Sequence, residues 1–580
     1  MPVNNPLGFG AADYLEIVFA VLLVAFVFLR PVIVPAAIGF ANRPVLCMFS
    51  LALLPIVLRL ILLLNHPVPS PDVYDEFGHL FVAGTLGHLR WSNPMHSMHR
   101  FFETFFILQE PTYSSIYPLG QGLMLAAGRL IFGLPWAGVV LATGALSALI
   151  YWMLRAWVNP EWALLGGLLA VIQFGPLSGW MNTYWGGTVA ACAGCLVFGS
   201  LPRLVKYSRL RDGAALGAGL AIHVLTRPFE SVLLLMSVGL FLVWTRRFPL
   251  RAGAVGAGLL VAAGGVTLLQ NRSVTGNWFM MPYQLSRYQY GVPVTMTFQA
   301  DPVPHRELTP QQRLEYESQR ASRNSRTETF ASYLARLEYR IRYYRFFFLP
   351  PLYVALLAFL TAFRTRYWAW VLCTVAIFAL GSNFYPPFQV HYIAAVTCLF
   401  VLMSVVGLER LCDWRIGRLV AALIVFVCTA QFLFWYTMHL FENNTISIAM
   451  RQYETWDSIN HGNPARRIFV NQQLARIPGQ LLVFVRYSPQ HMFQEEWVYN
   501  KPDIDAARIV WARDRGTADD AELIRYYPRR AVWLLEPDFQ PPKLTAYQPE
   551  PITETKAPPA PATPPKQKPS QPALRFEDVK

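Results

Sequence analysis

Long apolar runs recur from one end of this chain to the other, and they constrain its fold more than any motif does. A run of about 20 apolar residues is what a helix needs to cross the hydrocarbon core of a bilayer. Twelve candidates lie near 13–37, 44–64, 136–156, 163–181, 187–202, 213–227, 229–245, 252–270, 346–363, 367–383, 391–408 and 417–438. The 580 residues are 54% hydrophobic and 14% charged, too little polar surface to cover a soluble globule. A disordered scaffold and a coiled coil are excluded on the same ground. The expected fold class is an α-helical polytopic membrane protein of about 12 spans plus juxtamembrane helices. The first run has no basic stretch before it and no cleavage site. Residues 1–43 therefore read as an extra N-terminal membrane helix, not a signal peptide.

The net charge of +14 comes from 49 Lys and Arg against 35 Asp and Glu. Short basic clusters close the apolar runs at Arg43, Arg155, Arg203 to Arg211, Arg246 to Arg251, Arg364 and Arg366, and Arg410 to Arg418. Such clusters stay in the cytoplasm, and no nucleic-acid motif accompanies them, so no nucleic-acid partner is expected. With twelve spans both termini lie outside, as do the two large polar loops, 65–135 and 271–345. Long loops cross whatever their charge. The expected location is the inner (cytoplasmic) membrane of a bacterium, with the chemistry facing the periplasm. The seven cysteines all lie in or beside apolar segments, so no outward disulfide framework is expected. Cys192 and Cys195 form a CxxC inside an apolar helix, where small residues at a packed face are the simpler reading.

Residues 44–438 form the transmembrane module and 439–540 an extracytoplasmic unit. Within the latter, Leu481–Val485, Ile509–Ala512 and Ala531–Leu535 have strand length, and Asp519–Tyr526 reads as a helix. A small C-terminal α/β domain that caps the active-site side and helps to receive an acceptor is expected. Its carboxylates Glu495, Glu496, Asp503 and Asp505 read as solvated surface. Residues 541–580 hold 11 of the 44 prolines and read as a disordered tail.

The first outward loop carries the candidate chemistry. Pro71-Asp72-Val73-Tyr74-Asp75-Glu76-Phe77-Gly78-His79 begins just past the second run. Ionisable groups this close to lipid are costly. If a helix starts at Asp75, His79 shares its face at i+4. A carboxylate beside an imidazole can take a proton from a hydroxyl or hold a divalent cation. The same residues equally suit a helix start that favours acids. Further on, His96–Phe106 reads as a helix lying in the interface plane, and 119–133 as a short juxtamembrane helix.

Asp75-Glu76 and the aromatic-Pro segment Tyr117-Pro118-Leu119-Gly120 before a series of spans resemble the GT-C glycosyltransferases, polytopic enzymes that use polyprenyl-phosphate sugars. Within that superfamily the chain is most similar to the bacterial branch of protein mannosyltransferases, lipid A aminoarabinose transferases and Rgt-type lipopolysaccharide transferases. The resemblance covers roughly 44–440 as architecture. It implies Asp75 as base toward an acceptor hydroxyl, or as ligand of a divalent cation (Mg or Mn) beside the donor phosphate, with Glu76 assisting. It implies a hexosyl or pentosyl transferase of the inverting type. Its partners would be a polyprenyl-phosphate sugar donor, membrane lipid, and an extracytoplasmic glycan, lipid or protein acceptor.

A lipid phosphate at the outer interface needs basic donors at that depth. Arg340, Arg342 and Arg345 stand directly before Phe346-Phe347-Phe348, where phosphate contact competes with snorkelling. Arg227-Pro228-Phe229-Glu230 breaks two apolar runs, either as a structural ion pair or as ligand contacts. His391 and Tyr392 open an outward helix end, and 182–187 adds aromatics suited to a sugar face or an interfacial belt. Two rival functions remain: an oligosaccharide polymerase or ligase leaning on Arg and His, and a lipid or glycan flippase. A flippase should show related halves and intramembrane charges along a path, which the sequence lacks.

Overall fold

The computed structural model describes residues 11–441 apart from 72, 248, 323–327 and 363–364, together with 459 and 464–548 apart from 493. Asp72, the start of the 439–540 unit up to its first helix, and the tail beyond 548 thus lie outside the described residues, wholly or nearly so. The helices run α1 Ala11–Ala41, α2 Pro44–Ile61, α3 Tyr74–Gly87, α4 Leu119–Phe132, α5 Pro135–Leu154 and α6 Pro160–Phe174. They continue with α7 Gly179–Asn182, α8 Thr188–Tyr207, α9 Leu210–Thr226, α10 Pro228–Thr245, α11 Leu250–Thr275 and α12 Pro282–Tyr290. The membrane series closes with α13 Pro310–Ser322, α14 Phe330–Arg340, α15 Leu352–Phe359, α16 Arg366–Ser382, α17 Thr397–Cys412 and α18 Gly417–Phe441.

Seven helices among the described residues are long and apolar enough to cross a membrane, so the count of twelve is not confirmed. They correspond to α2, α5, α8, α10, α11, α17 with its lead-in from Val390, and α18. Three of the other expected spans are helices of 15 to 17 residues, α6, α9 and α16. Each is shorter than the seven, and a helix walled by protein need not match the full bilayer thickness. The run 346–363 is part of a pair, Phe330–Phe347 and Leu352–Ala362, bent by 112°, which makes an eighth span if counted as one. The first run is α1, a helix of 31 residues. Small residues bring the helices close. A Cβ on Gly217 of α9 would meet the Gly256 backbone of α11 at 2.5 Å.

The basic clusters and the outward loops occupy opposite ends of these helices. The C-terminal end of α2, the N-terminal ends of α8, α10 and α17, and the C-terminal ends of α11 and α18 therefore share one side with α3. Everything below happens on that side.

There the C-terminal unit forms a four-stranded sheet. β1 Ile107–Leu108 and β2 Ser114–Ser115 pair separately in the first loop. β3 Leu481–Val485 is central, parallel to β4 Ile509–Arg513 and β5 Ala531–Glu536. β6 Lys543–Ala546 runs antiparallel to β5, so the folded unit continues past residue 540 into what reads as tail. All five residues of β3 are buried, as expected of a parallel strand covered on both faces. Leu481, Val483 and Val485 pack on Val470 and Leu474 of the helix Pro464–Arg476. Leu482 and Phe484 pack on Phe81, Phe101, Phe102 and Tyr113, which belong to the 65–135 loop. The sheet is completed by that loop.

Two expectations change as a result. His96–Phe106 is not an interfacial helix: only His99–Phe101 makes a 3-10 turn, and Phe101 and Phe102 point under the sheet. Of the C-terminal carboxylates, Glu496 is a buried docking group, while Asp503 and Asp505 stay partly exposed and pair with the first loop. Glu496 is 2% exposed, paired to Arg513 at 3.1 Å, and accepts from the Tyr487 hydroxyl at 2.7 Å and from the Thr104 hydroxyl. Arg513 also donates to the Glu103 carbonyl at 2.6 Å. Asp503 meets Arg90 at 2.8 Å and Asp505 meets His96 at 3.0 Å. Removing one partner of a buried pair costs about 3–5 kcal/mol. Arg513→Ala is therefore expected to expose 464–548 to limited proteolysis while the spans stay intact; an unchanged digestion pattern would contradict this packing.

Candidate active site

Helix α3 begins where the acid pair stands. Val73 is extended, and Asp75 and Glu76 occupy the first turn, where helix N–H groups favour negative charge. One Glu76 carboxylate oxygen accepts from the Val73 N–H at 3.4 Å and the other from the Tyr184 N–H at 2.9 Å. Glu76 is buried and ties the helix start to the 182–187 turn, whose Gly186 and Gly187 have φ of 88° and 113°. Arg59 of α2 holds that turn from below: its Nε donates to the Asn182 side chain at 2.7 Å, and its other nitrogens to the His66 and Pro67 carbonyls. Glu76 thus stands as a brace for its neighbour.

Asp75 faces the other way and accepts a hydrogen bond from the Tyr117 hydroxyl. Tyr117 comes from the segment ahead of α4. Its ring lies where a Cβ on Gly78 would be, and stacks on His79 with centroids 4.2 Å apart. Gly120 lets the first turn of α4 abut Thr226 at the end of α9. That contact brings the Tyr-Pro-Leu-Gly segment to the α9–α10 break, where Arg227 sits at φ −140°, ψ 77° and Pro228 starts the next helix.

Polar and aromatic side chains gather around this break. The Arg227 guanidinium makes no hydrogen bond or ion pair among the described residues, its backbone bonding to His223 and Ser231, and a pair with Glu230 does not form within 4 Å. Its guanidinium lies over the Tyr392 ring at 5.2 Å. Its charge acts on Asp75, His79, Tyr283, Tyr385 and His391. His391 is buried, with its ring against Tyr392 and edge-on to Trp185. The His79 Nδ1 is buried and has no partner among the described residues.

Burial pushes the Asp75 carboxyl up to about 6, against the Tyr117 hydrogen bond and the Arg227 charge, which both favour the anion. Burial, then the Arg227 charge, pushes the His79 imidazole down to about 3, so it is neutral at neutral pH. Burial and the Asp75 charge hold the Tyr117 phenol well above its ordinary range, so it remains a donor. The site therefore offers an ionisable base, a neutral imidazole and one uncommitted cation.

Glu315 of α13 was not visible from sequence. It is 2% exposed, accepts from the Tyr74 hydroxyl at 2.9 Å and from the Gln319 amide, and lies close enough to feel the Asp75 charge. Burial pushes its carboxyl up to about 7 against those two hydrogen bonds.

The three arginines before Phe346 separate. Arg340 is buried and donates to the Ser382 and Pro386 carbonyls at 2.8 and 2.9 Å and to the Tyr385 carbonyl, lying over the Phe388 ring. It builds the 382–388 turn, so most of its donors serve carbonyls of the protein in place of the phosphate expected from the sequence. Arg342 and Arg345 are exposed, Arg342 lying on the Tyr339 ring. As a metal ligand Asp75 fits poorly. No group of three His, Cys, Asp or Glu gathers among the described residues, and the neighbouring charge is the Arg227 cation.

No family model and no curated protein matches this chain. Among solved structures it is similar to ArnT from Cupriavidus metallidurans in the apo state, at 11% identity over 86% of this chain and 93% of that one, TM-score 0.49. It is similar to the same protein bound to undecaprenyl phosphate, at 11% identity over 85% and 92%, TM-score 0.49. It is also similar to the Archaeoglobus fulgidus oligosaccharyltransferase in complex with zinc and sulfate, at 12% identity over 84% and 67%, TM-score 0.43. Both proteins belong to the GT-C superfamily. Likenesses at this level carry no inference about activity, which rests on the residues themselves.

Carbodiimides modify protonated carboxyls, so labelling of Asp75 read by mass spectrometry should fall as pH rises through about 6. Tyr117→Phe removes a hydrogen bond that favours the anion. With a hydrogen bond to charge worth about 1.5–3 kcal/mol, the midpoint should move up by about one to two units. An unmoved midpoint would mean that Tyr117 does not govern Asp75.

Proposed function

We propose that the protein is a membrane glycosyltransferase that moves a hexosyl or pentosyl unit from a polyprenyl-phosphate donor to a hydroxyl of an extracytoplasmic glycan, lipid or protein. The active site faces the periplasm from a bacterial inner membrane. The observation that carries this reading is the meeting of Asp75, hydrogen-bonded to Tyr117, with the uncommitted Arg227 at the loop-bearing ends of the apolar helices. There a donor keeps its tail in lipid and its phosphate in protein.

In this mechanism the acceptor oxygen attacks the anomeric carbon from the face opposite the phosphate. The new carbon–oxygen bond forms as the bond to the phosphate oxygen breaks, which inverts the centre. Asp75 takes the acceptor proton. The donor phosphodiester, a monoanion, leaves as a monoester dianion, and Arg227 with the neutral His79 imidazole and the His391 ring meets the added charge. Tyr117 aims the carboxylate, and Tyr392 positions Arg227 by cation–π contact. Arg342 and Arg345, exposed beside the bent helix pair, meet lipid phosphates before they enter. No step needs a metal, because the cation at the leaving group is a guanidinium.

The test uses membranes with radiolabelled polyprenyl-phosphate sugar. Asp75→Asn should lower transfer about 10²–10⁴-fold, the usual contribution of a general base, while the labelled donor still binds. Arg227→Ala should lower both donor binding and turnover. Undiminished transfer in Asp75→Asn would end this mechanism in favour of a polymerase or ligase built on Arg and His. Label that crosses the vesicle intact, with no free lipid phosphate, would show a flippase.

A further inference from the structure

We infer that the C-terminal α/β unit is the mount that fixes helix α3, with Tyr499 and Arg467 as positioning residues for Asp75. This role differs from that of a receiving surface for the acceptor. For its catalytic consequence the inference rests on the function proposed above; for its structural content it does not.

Helix α3 has 14 residues, a length at which an isolated helix is marginal in water. Its position must come from what covers it. Asp75 and His79 lie at i and i+4 on the face toward Tyr117. At about 100° per residue, Phe77 lies about 160° around the helix from Asp75, and Phe77, Phe81 and Gly84 follow at i, i+4 and i+7. The C-terminal unit packs on this opposite stripe at both ends, and at Phe81 shares it with Tyr113 of the first loop. Phe77 stacks on Tyr499 with centroids 4.5 Å apart and planes 30° apart. The Arg467 guanidinium lies between Phe77 and Trp497, 4.7 Å from each ring. Phe81 is fully buried in the core shared with Leu482 and Phe484. Gly84 lies so close to Pro502 that a Cβ would stand 3.0 Å from its ring. At the helix start, Val73 forms a β-bridge with Glu495.

The contacts are those of a bearing surface. Arg467 is itself fixed by donating to the Glu496 carbonyl, and Glu496 is locked to Arg513. A shift of the sheet would therefore move the Phe77 stripe, rotate α3 and carry Asp75 off the Tyr117 hydroxyl. Carbohydrate or peptide has no access to Phe77 or Phe81 while the sheet is seated.

The experiment compares the full-length protein in nanodiscs with Tyr499→Ala, Tyr499→Leu and Tyr499→Phe. Leu keeps apolar volume without the ring and guards against a variant that does not fold. Hydrogen exchange of the peptide 74–87 should be about tenfold faster in the Ala and Leu variants and unchanged in Phe. Turnover should fall about tenfold in Ala and Leu with the acceptor KM held within about twofold, and Phe should restore it. Unchanged exchange in Tyr499→Ala and Tyr499→Leu would overturn the inference. So would a raised acceptor KM at unchanged kcat, the mark of an acceptor-binding surface. If exchange rises as expected but the parent protein transfers no sugar, the mount stands and the function proposed above fails.

Discussion

The hydrogen bond from the Tyr117 hydroxyl to Asp75 joins two parts of the chain that are 42 residues apart, and the site depends on keeping them in register. Burial alone would hold the Asp75 carboxyl protonated; the phenol and the nearby guanidinium pull it back toward ionisation, to about 6. That balance needs close approach, and close approach needs two glycines. Gly78 gives the Tyr117 ring a place against α3, and Gly120 gives α4 a place against Thr226. Glu76 adds the third restraint by taking two backbone N–H groups, so the adjacent carboxylate is aimed without bearing load itself.

Arginine is divided between scaffold and site. Arg59, Arg340, Arg467 and Arg513 are buried, and each donates to backbone carbonyls or side chains of the outward structure. A planar fork suits this work, since it satisfies several acceptors at fixed angles. The Arg227 guanidinium is different in that it holds no hydrogen-bond partner among the described residues, and it sits at a helix break forced by Pro228. A cation left uncommitted beside a carboxylate, imidazoles and phenols is suited to an anion that arrives from outside.

Much of this was legible in the sequence, and the rest failed for identifiable reasons. Asp75 and Tyr117 stood out because an acid pair past a membrane run and a Tyr-Pro-Leu-Gly segment before the next are unusual there. The structure places them in contact. Strands were readable as short apolar runs at 481–485, 509–512 and 531–535, and the structure extends the last two by one residue each. The span number was less legible, because α6, α9 and α16, at 15 to 17 residues, are shorter than the seven helices that meet the length of a span. Arg340 misled because three arginines at an outer membrane edge look like a phosphate site, whereas the carbonyls of 382–386 that claim it come from another helix end. Glu315 was invisible because α13 is polar throughout, and only its contact with Tyr74 marks it. Glu496 looked solvated because nothing local showed that it packs against Thr104 of the first loop and Arg513.

The central claim is that a polyprenyl phosphate is held by Arg227 beside Asp75. A cryo-electron microscopy structure of the protein in nanodiscs loaded with undecaprenyl phosphate tests it most directly. The account predicts phosphate density within hydrogen-bond reach of the Arg227 guanidinium and the His79 ring, with the tail leaving between the membrane helices. Phosphate held only at the exposed Arg342 and Arg345, or on the opposite side of the helices from α3, would contradict it.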